Sequence, residues 1–149
     1  MGRVIVSVDI EAPPENVFSL IKNTEQVVSL MPPGWKVDAY KVTEGDIGVG
    51  TEYDIKIKSR WLKIAYRDKV EEVVDNKKIR SRSVEGFNYT NLAWLVEAKN
   101  NETRLIRQAE FRLPYSVFGW VIEKLVADWM FKRVGEQWLR NIKANLEAK

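Results

Sequence analysis

Two residue types are missing from this chain altogether: its 149 residues include no cysteine and no histidine. Without cysteine there is no disulfide, no thiolate nucleophile and no Cys-ligated zinc or iron–sulfur centre. Without histidine there is no imidazole base, no Ser-His-Asp triad and no imidazole metal ligand. Chemistry is left to carboxylates, Lys, Arg, Tyr, Ser and Thr, acting as acids, bases or oxyanion donors where their surroundings shift their pKa. No stretch reaches the roughly 18 uninterrupted apolar residues of a membrane span, and Met1 to Ile10 alternates instead of forming an apolar signal region. A soluble, cytoplasmic protein is expected. Charge of one sign is also scarce: 24 basic and 21 acidic residues leave a net +3, and no run of basic residues stands out. No nucleic-acid partner is therefore expected.

What the chain has is aromatic bulk. Six Trp, five Tyr and five Phe need a generous apolar interior or an apolar ligand to pack on. The length suits one domain, 1–149, with a core of its own.

Val4, Val6, Val8 and Ile10 alternate with polar residues and predict a half-buried strand, ended by Ala12-Pro13-Pro14. From Glu15 the spacing becomes helical through Val17, Leu20 and Ile21. A second short helix carries Val27, Val28, Leu30 and Met31 up to the Pro32-Pro33-Gly34 break. From Trp35 to Leu113 the chain reads as six strands, at about 35–44, 49–58, 61–74, 77–86, 91–99 and 102–113. The turns between them are Ser59-Arg60, Asp75-Asn76, a loop from Phe87 to Thr90, and Asn100-Asn101. After Pro114 a helical stripe runs through Phe118, Ile122, Leu125 and Trp129, then Val134, Trp138, Ile142 and Leu146, with Gly119 and Gly135 as weak points.

Two-residue turns fix antiparallel register, so one inner face follows from the turn positions. On it fall Thr51, Tyr53, Ile55 and Ile57; Leu62, Ile64, Tyr66, Asp68 and Val70; Ile79, Ser81, Ser83 and Glu85; Leu92, Trp94, Val96 and Ala98; and Thr103, Leu105, Arg107, Ala109, Phe111 and Leu113. Lys56, Lys58 and Lys63 fall on the other face. The expected rows place Thr51, Asp68, Ser83, Trp94 and Arg107 at one level, and Tyr53, Tyr66, Glu85, Leu92 and Ala109 at the next. The fold class is α+β: a strand, two short helices and a six-strand meander forming one curved antiparallel sheet around a long C-terminal helix.

That element order resembles the START-like helix-grip superfamily (SRPBCC), in its polyketide cyclase and coenzyme Q-binding-like branch. The residues that carry the likeness are Ile10-Glu11-Ala12-Pro13-Pro14-Glu15-Asn16-Val17-Phe18, the Pro33-Gly34 break, Gly48-Val49-Gly50-Thr51 and the aromatic-rich closing helix. The resemblance spans essentially the whole chain and implies a cavity between sheet and helix that receives an apolar or amphipathic molecule. A minority of such proteins are enzymes. No catalytic set transfers residue by residue, and members with a pocket histidine are not a model here.

Arg107 is the sharpest polar exception on the inner face. It anchors an oxygen of a ligand, or it pairs with Glu85 or Asp68, or it reaches the cavity mouth, with Trp94 offering a π face in every case. Tyr53, Tyr66 and Ser83 are candidate hydrogen-bonding groups. Ile64, Trp94, Phe111, Phe118, Ile122, Leu125 and Trp129 are candidates to surround the ligand body. Asp68 and Glu85 are the weak catalytic candidates, since burial would raise their pKa toward neutrality. No spacing suggests a metal site, and no cofactor is expected. The leading expectation is a binding or transport protein for a lipid, isoprenoid quinone or polyketide-like molecule. A cyclase or dehydratase in the same pocket is the alternative. A regulatory or chaperone-like module is the third, because the apolar segment 117–131, with Trp120 and Phe131 off the main stripe, offers a membrane-surface or homodimer contact.

Overall fold

The computed structural model describes the backbone of residues 2–59, 63–86, 88–112 and 120–148, and their side chains except at 2, 88–90, 111, 112 and 120–128. The alternating N-terminus forms β1 (Gly2–Ile10), which pairs along its whole length with the last strand, β7 (Glu102–Arg112). Between them come β2 (Lys36–Lys41), β3 (Glu52–Lys58), β4 (Lys63–Val74), β5 (Lys78–Gly86) and β6 (Asn88–Lys99). All seven lie in one antiparallel sheet in the order β1-β7-β6-β5-β4-β3-β2.

α1 (Pro14–Lys22) starts on a proline, which suits a first helical turn whose N–H has no partner inside the helix. α2 (Thr24–Val28) follows after Asn23, whose side chain accepts from the Gln26 N–H. Helices this short do not hold themselves. They are kept by burying Val17, Phe18, Leu20, Ile21 and Val27. α3 (Trp120–Glu147) has 28 residues and so extends about 42 Å. It is tied at four places, one of them where Lys143 Nζ donates to the Asp9 carbonyl at 2.7 Å. Trp138 Nε1 donates to the Val27 carbonyl (2.8 Å) and Asn141 Nδ2 to the Leu30 carbonyl (2.9 Å). Near its C-terminus, the Glu147 carboxylate accepts from the Glu11 N–H at 2.9 Å.

The inner face expected from the turns is largely the one observed, but the rows slide. Lys99 pairs with Glu102, as the two-residue Asn100-Asn101 turn requires, so Trp94 stands opposite Arg107. Lys58 pairs with Lys63, so four residues rather than two join β3 to β4; the even shift keeps every face and moves each pair by two. The β4–β5 turn has three residues, with Asn76 at φ 61°, and a bulge between Val70 and Glu72 restores the parity. A second bulge falls where Asp68 pairs with Ser83 and Arg67 with Glu85, leaving Val84 as the extra residue. Beyond it Glu85 lies opposite Arg67 and is exposed. β6 begins at Asn88, two residues after Gly86, whose φ is 87°. Its pairing with β5 then sets Ile79 opposite Trp94 and Ser81 opposite Leu92.

Candidate functional site

Between the inner face and α3 lies a cavity of about 170 Å³. β1 supplies Val4 and Val6 to its wall, β7 Arg107 and Ala109, β6 Leu92, β4 Ile64 and Tyr66, β3 Ile55 and Ile57, and β2 Val37. Val28, Met31 and Trp35 close one side, and α3 covers it with Phe131, Val134, Gly135 and Trp138. Among these described lining residues the only polar side chains besides the indoles are Arg107 and Tyr66.

Arg107 is half-buried in an apolar row, Val6–Arg107–Trp94–Ile79 across four strands. Its guanidinium carbon lies 4.2 Å from the centroid of Trp94 and 5.3 Å from that of Trp138. The two indoles meet edge to face, 5.0 Å apart at 72°. The hydrogen bond from Trp138 to α2 fixes the second ring. A guanidinium is weakly hydrated and planar, so two indoles stabilise it in an apolar wall where an ammonium would be costly.

The polar level expected beside Arg107 is elsewhere. Asp68 is buried between Tyr53 and Ser83 in the register, two rows along the sheet from the Arg107 level, and is not among the residues lining the cavity. Tyr53 is 1% exposed and lies at the α1–α2 junction. Burial raises its pKa above 10.0, while a hydrogen bond with Thr24 works the other way. Ser83 is half-buried opposite Asp68. The expectation for Glu85 is corrected: the Val84 bulge reverses its side of the sheet, and it faces the outer Arg67–Asp54 pair. The expectation for Trp129 is corrected too. It is 60% exposed, beneath the Arg133 guanidinium at 5.0 Å. Nine residues separate Trp129 from Trp138, which is two and a half helical turns, so the two rings leave opposite sides of α3. Phe131, Val134, Gly135 and Trp138, at spacings of three, four and seven, form the stripe that meets the cavity. The side chains of Phe111, Ile122 and Leu125, and all of Phe118, lie outside the described residues.

Trp35, Val37, Met31 and Val28 were not among the expected wall residues. Their signal was the Pro32-Pro33-Gly34 break, which turns the chain from α2 straight into the sheet edge. Among the described residues no helix is long and apolar enough to cross a membrane. Nor is any group of three or more carboxylates among them placed to hold a metal ion.

A curved antiparallel sheet wrapped on a long C-terminal helix, with an apolar cavity between them, defines the helix-grip proteins, and the expected architecture is borne out. The chain belongs to the polyketide cyclase / dehydrase and lipid transport family, whose model matches residues 1–147. Its fold is similar to that of TTHA0849 from Thermus thermophilus, with a TM-score of 0.81, 23% identity, and coverage of 98% of this chain and 97% of that one. The aromatase/cyclase Zhui from a Streptomyces species superposes with a TM-score of 0.76 at 14% identity, covering 97% and 93%. Protein CV1439 from Chromobacterium violaceum gives 0.70 at 18%, covering 99% of each chain. No curated protein matches the chain in sequence.

Proposed function

We propose that the protein binds a small apolar or amphipathic molecule in the cavity, with the oxygen-bearing end of the ligand at Arg107. One observation carries this reading: a cavity of about 170 Å³ whose described lining is apolar except at Arg107 and Tyr66. An apolar cavity of about 150 Å³ takes up a benzene-sized molecule, so the space suits a single ring or a short acyl segment. Arg107 suits a carboxylate, to which a guanidinium donates two parallel hydrogen bonds, or a phenolate or enolate, whose single oxygen accepts a charge-assisted one. The exclusion of Glu85 from the inner face, and the placement of Asp68 away from the lining, support binding over carboxylate-driven cyclisation or dehydration.

Mass spectrometry of the purified protein under non-denaturing conditions, followed by organic extraction, is expected to show a small molecule released on unfolding. Titration with benzoate and benzyl alcohol, read by indole fluorescence, tests the polar anchor. Arg107→Leu is expected to weaken benzoate about 10- to 100-fold, the weight of a charge-assisted hydrogen bond, and to leave benzyl alcohol nearly unchanged. Uptake of neither ligand, or equal loss of both, overturns the reading.

A further inference from the structure

On the outer face of the sheet the strands bring lysines from separate parts of the chain into one line. Lys36 on β2 pairs with Lys58 on β3, and Lys58 pairs with Lys63 on β4. All three are exposed. Neighbouring strands are about 4.8 Å apart, so the row places three ammonium groups along about 10 Å. Like charges directly opposite one another weaken a sheet. Other outer-face cations are ion-paired, Arg67 with Asp54 at 2.8 Å, Lys78 with Glu72 at 2.8 Å, Arg82 with Glu71 at 2.9 Å and Arg104 with Asp9 at 3.0 Å, or stand opposite an acid in the register, as Lys56 does with Asp38 and Lys69 with Glu52. Lys36, Lys58 and Lys63 have no carboxylate within ion-pair distance among the described residues, and the nearest acid in the register, Asp38, faces Lys56 in the next row. An edge lysine can guard an open strand, but β3 has a neighbour on each side, so edge protection does not account for Lys58.

We propose that the Lys36–Lys58–Lys63 row docks the protein on an anionic phospholipid surface. The row stands one residue beyond Val37, Ile57 and Ile64, which line the cavity, so it marks the end of the sheet where the apolar space lies. Ammonium groups on flexible stems suit the diffuse charge of lipid headgroups, whereas paired recognition of protein carboxylates favours the fork of arginine. The described residues 55–59 and 63–66 carry Lys56, Lys58 and Lys63 and no acid. The proposal stands whether or not the cavity holds a ligand.

The test is co-sedimentation of the full chain with vesicles of equimolar phosphatidylcholine and phosphatidylglycerol, and with vesicles of phosphatidylcholine alone. Binding is expected to the first and not the second, and to fall as salt is raised. Each lysine near such a surface is worth about fivefold in partition, so Lys36→Gln, Lys58→Gln and Lys63→Gln together are expected to lose about 100-fold. The same change of net charge made on α1, in the β4–β5 turn and on α3 (Lys22→Gln, Lys77→Gln, Arg140→Gln) is expected to lose less than about tenfold. Removing three mutually repelling charges should leave the circular dichroism spectrum and melting temperature unchanged or higher, which separates a lost surface from a lost fold. No binding of the wild type to the mixed vesicles, or equal loss in both triple variants, overturns the proposal. So does capture by soluble poly-glutamate without capture by vesicles, which would assign the row to an acidic protein.

Discussion

Two indoles cover the Arg107 guanidinium in an apolar wall, and one of them is itself fixed. Trp138 donates to the Val27 carbonyl, meets Trp94 edge to face, and covers the cavity. Trp138→Phe keeps a ring but removes the donor and part of the surface over Arg107. It is expected to destabilise by about 1–2 kcal/mol, measured by urea unfolding, and a change below a few tenths would remove that hydrogen bond from the account. Among the described glycines, Gly86 is the one at which both backbone and space exclude a side chain. A Cβ there would lie 2.3 Å from the Ala65 carbonyl oxygen, and its φ of 87° is one that side chains avoid. Gly86→Ala is expected to cost about 2 kcal/mol or more, or to prevent folding. The Arg107–Trp94 partnership was legible in the sequence, because Asn100-Asn101 is a two-residue turn and leaves one register. The second indole was not, since no local pattern says which turn of a distant helix crosses a given strand.

At the scale of elements, what the sequence conceals is parity. Each strand, its period and its face can be read from alternation, and an even error in loop length, as between β3 and β4, slides the rows without turning any side chain over. An odd insertion inside a strand is different. Val84 is apolar and sits in an alternating segment, yet as a bulge it reverses everything after it, which is why Glu85 looked like an interior acid and is an exterior one. Helix phase hides in the same way: Trp129 continues a plausible stripe from Phe118, but it is half a turn out from Trp138. The outer pairs that join the elements make an acid-sensitive clasp. Arg104 holds the Asp9 carboxyl below 3.8, Arg67 does the same for Asp54, and Lys78 with Arg80 holds Glu72 below 4.5. Folded-state pKa values below the unfolded ones mean stability that is present above those ordinary values and lost as pH falls through the lowered ones. Urea midpoints measured from about pH 7 down to about pH 2 should therefore fall most steeply below about pH 4. Asp9→Asn should flatten that slope, shallowly, because both partners are solvent-exposed. An unchanged slope would show that the β1–β7 pair contributes nothing.

At the scale of the whole molecule, a cavity is a stability cost kept for a purpose or a packing fault, and the two can be told apart. A well-packed interior leaves few voids larger than a water molecule, so about 170 Å³ beneath α3 is space that better-fitting side chains would fill. Ala109 is the position to fill it from, because it lies on the wall between Leu92 and Val4 in the register. Gly135 is less suitable: its Cβ would come within 3.1 Å of Val6 Cγ2, so the helix propensity gained is set against a close contact. Ala109→Leu adds three buried carbons at about 0.8 kcal/mol each, less the strain of fitting a branched chain. A net gain of about 1–2 kcal/mol is expected, and with it a rise in melting temperature of about 2–4 °C per kcal/mol for a chain of this size. If the cavity is a binding site, the same change should abolish the uptake of single-ring ligands while raising the stability of the empty protein, the opposition expected where function depends on an imperfectly packed interior. Ala109→Leu that raises stability and still takes up benzoate would place the ligand elsewhere. A fall in stability would mean that the space closes by movement of α3 and was never large enough for three more carbons.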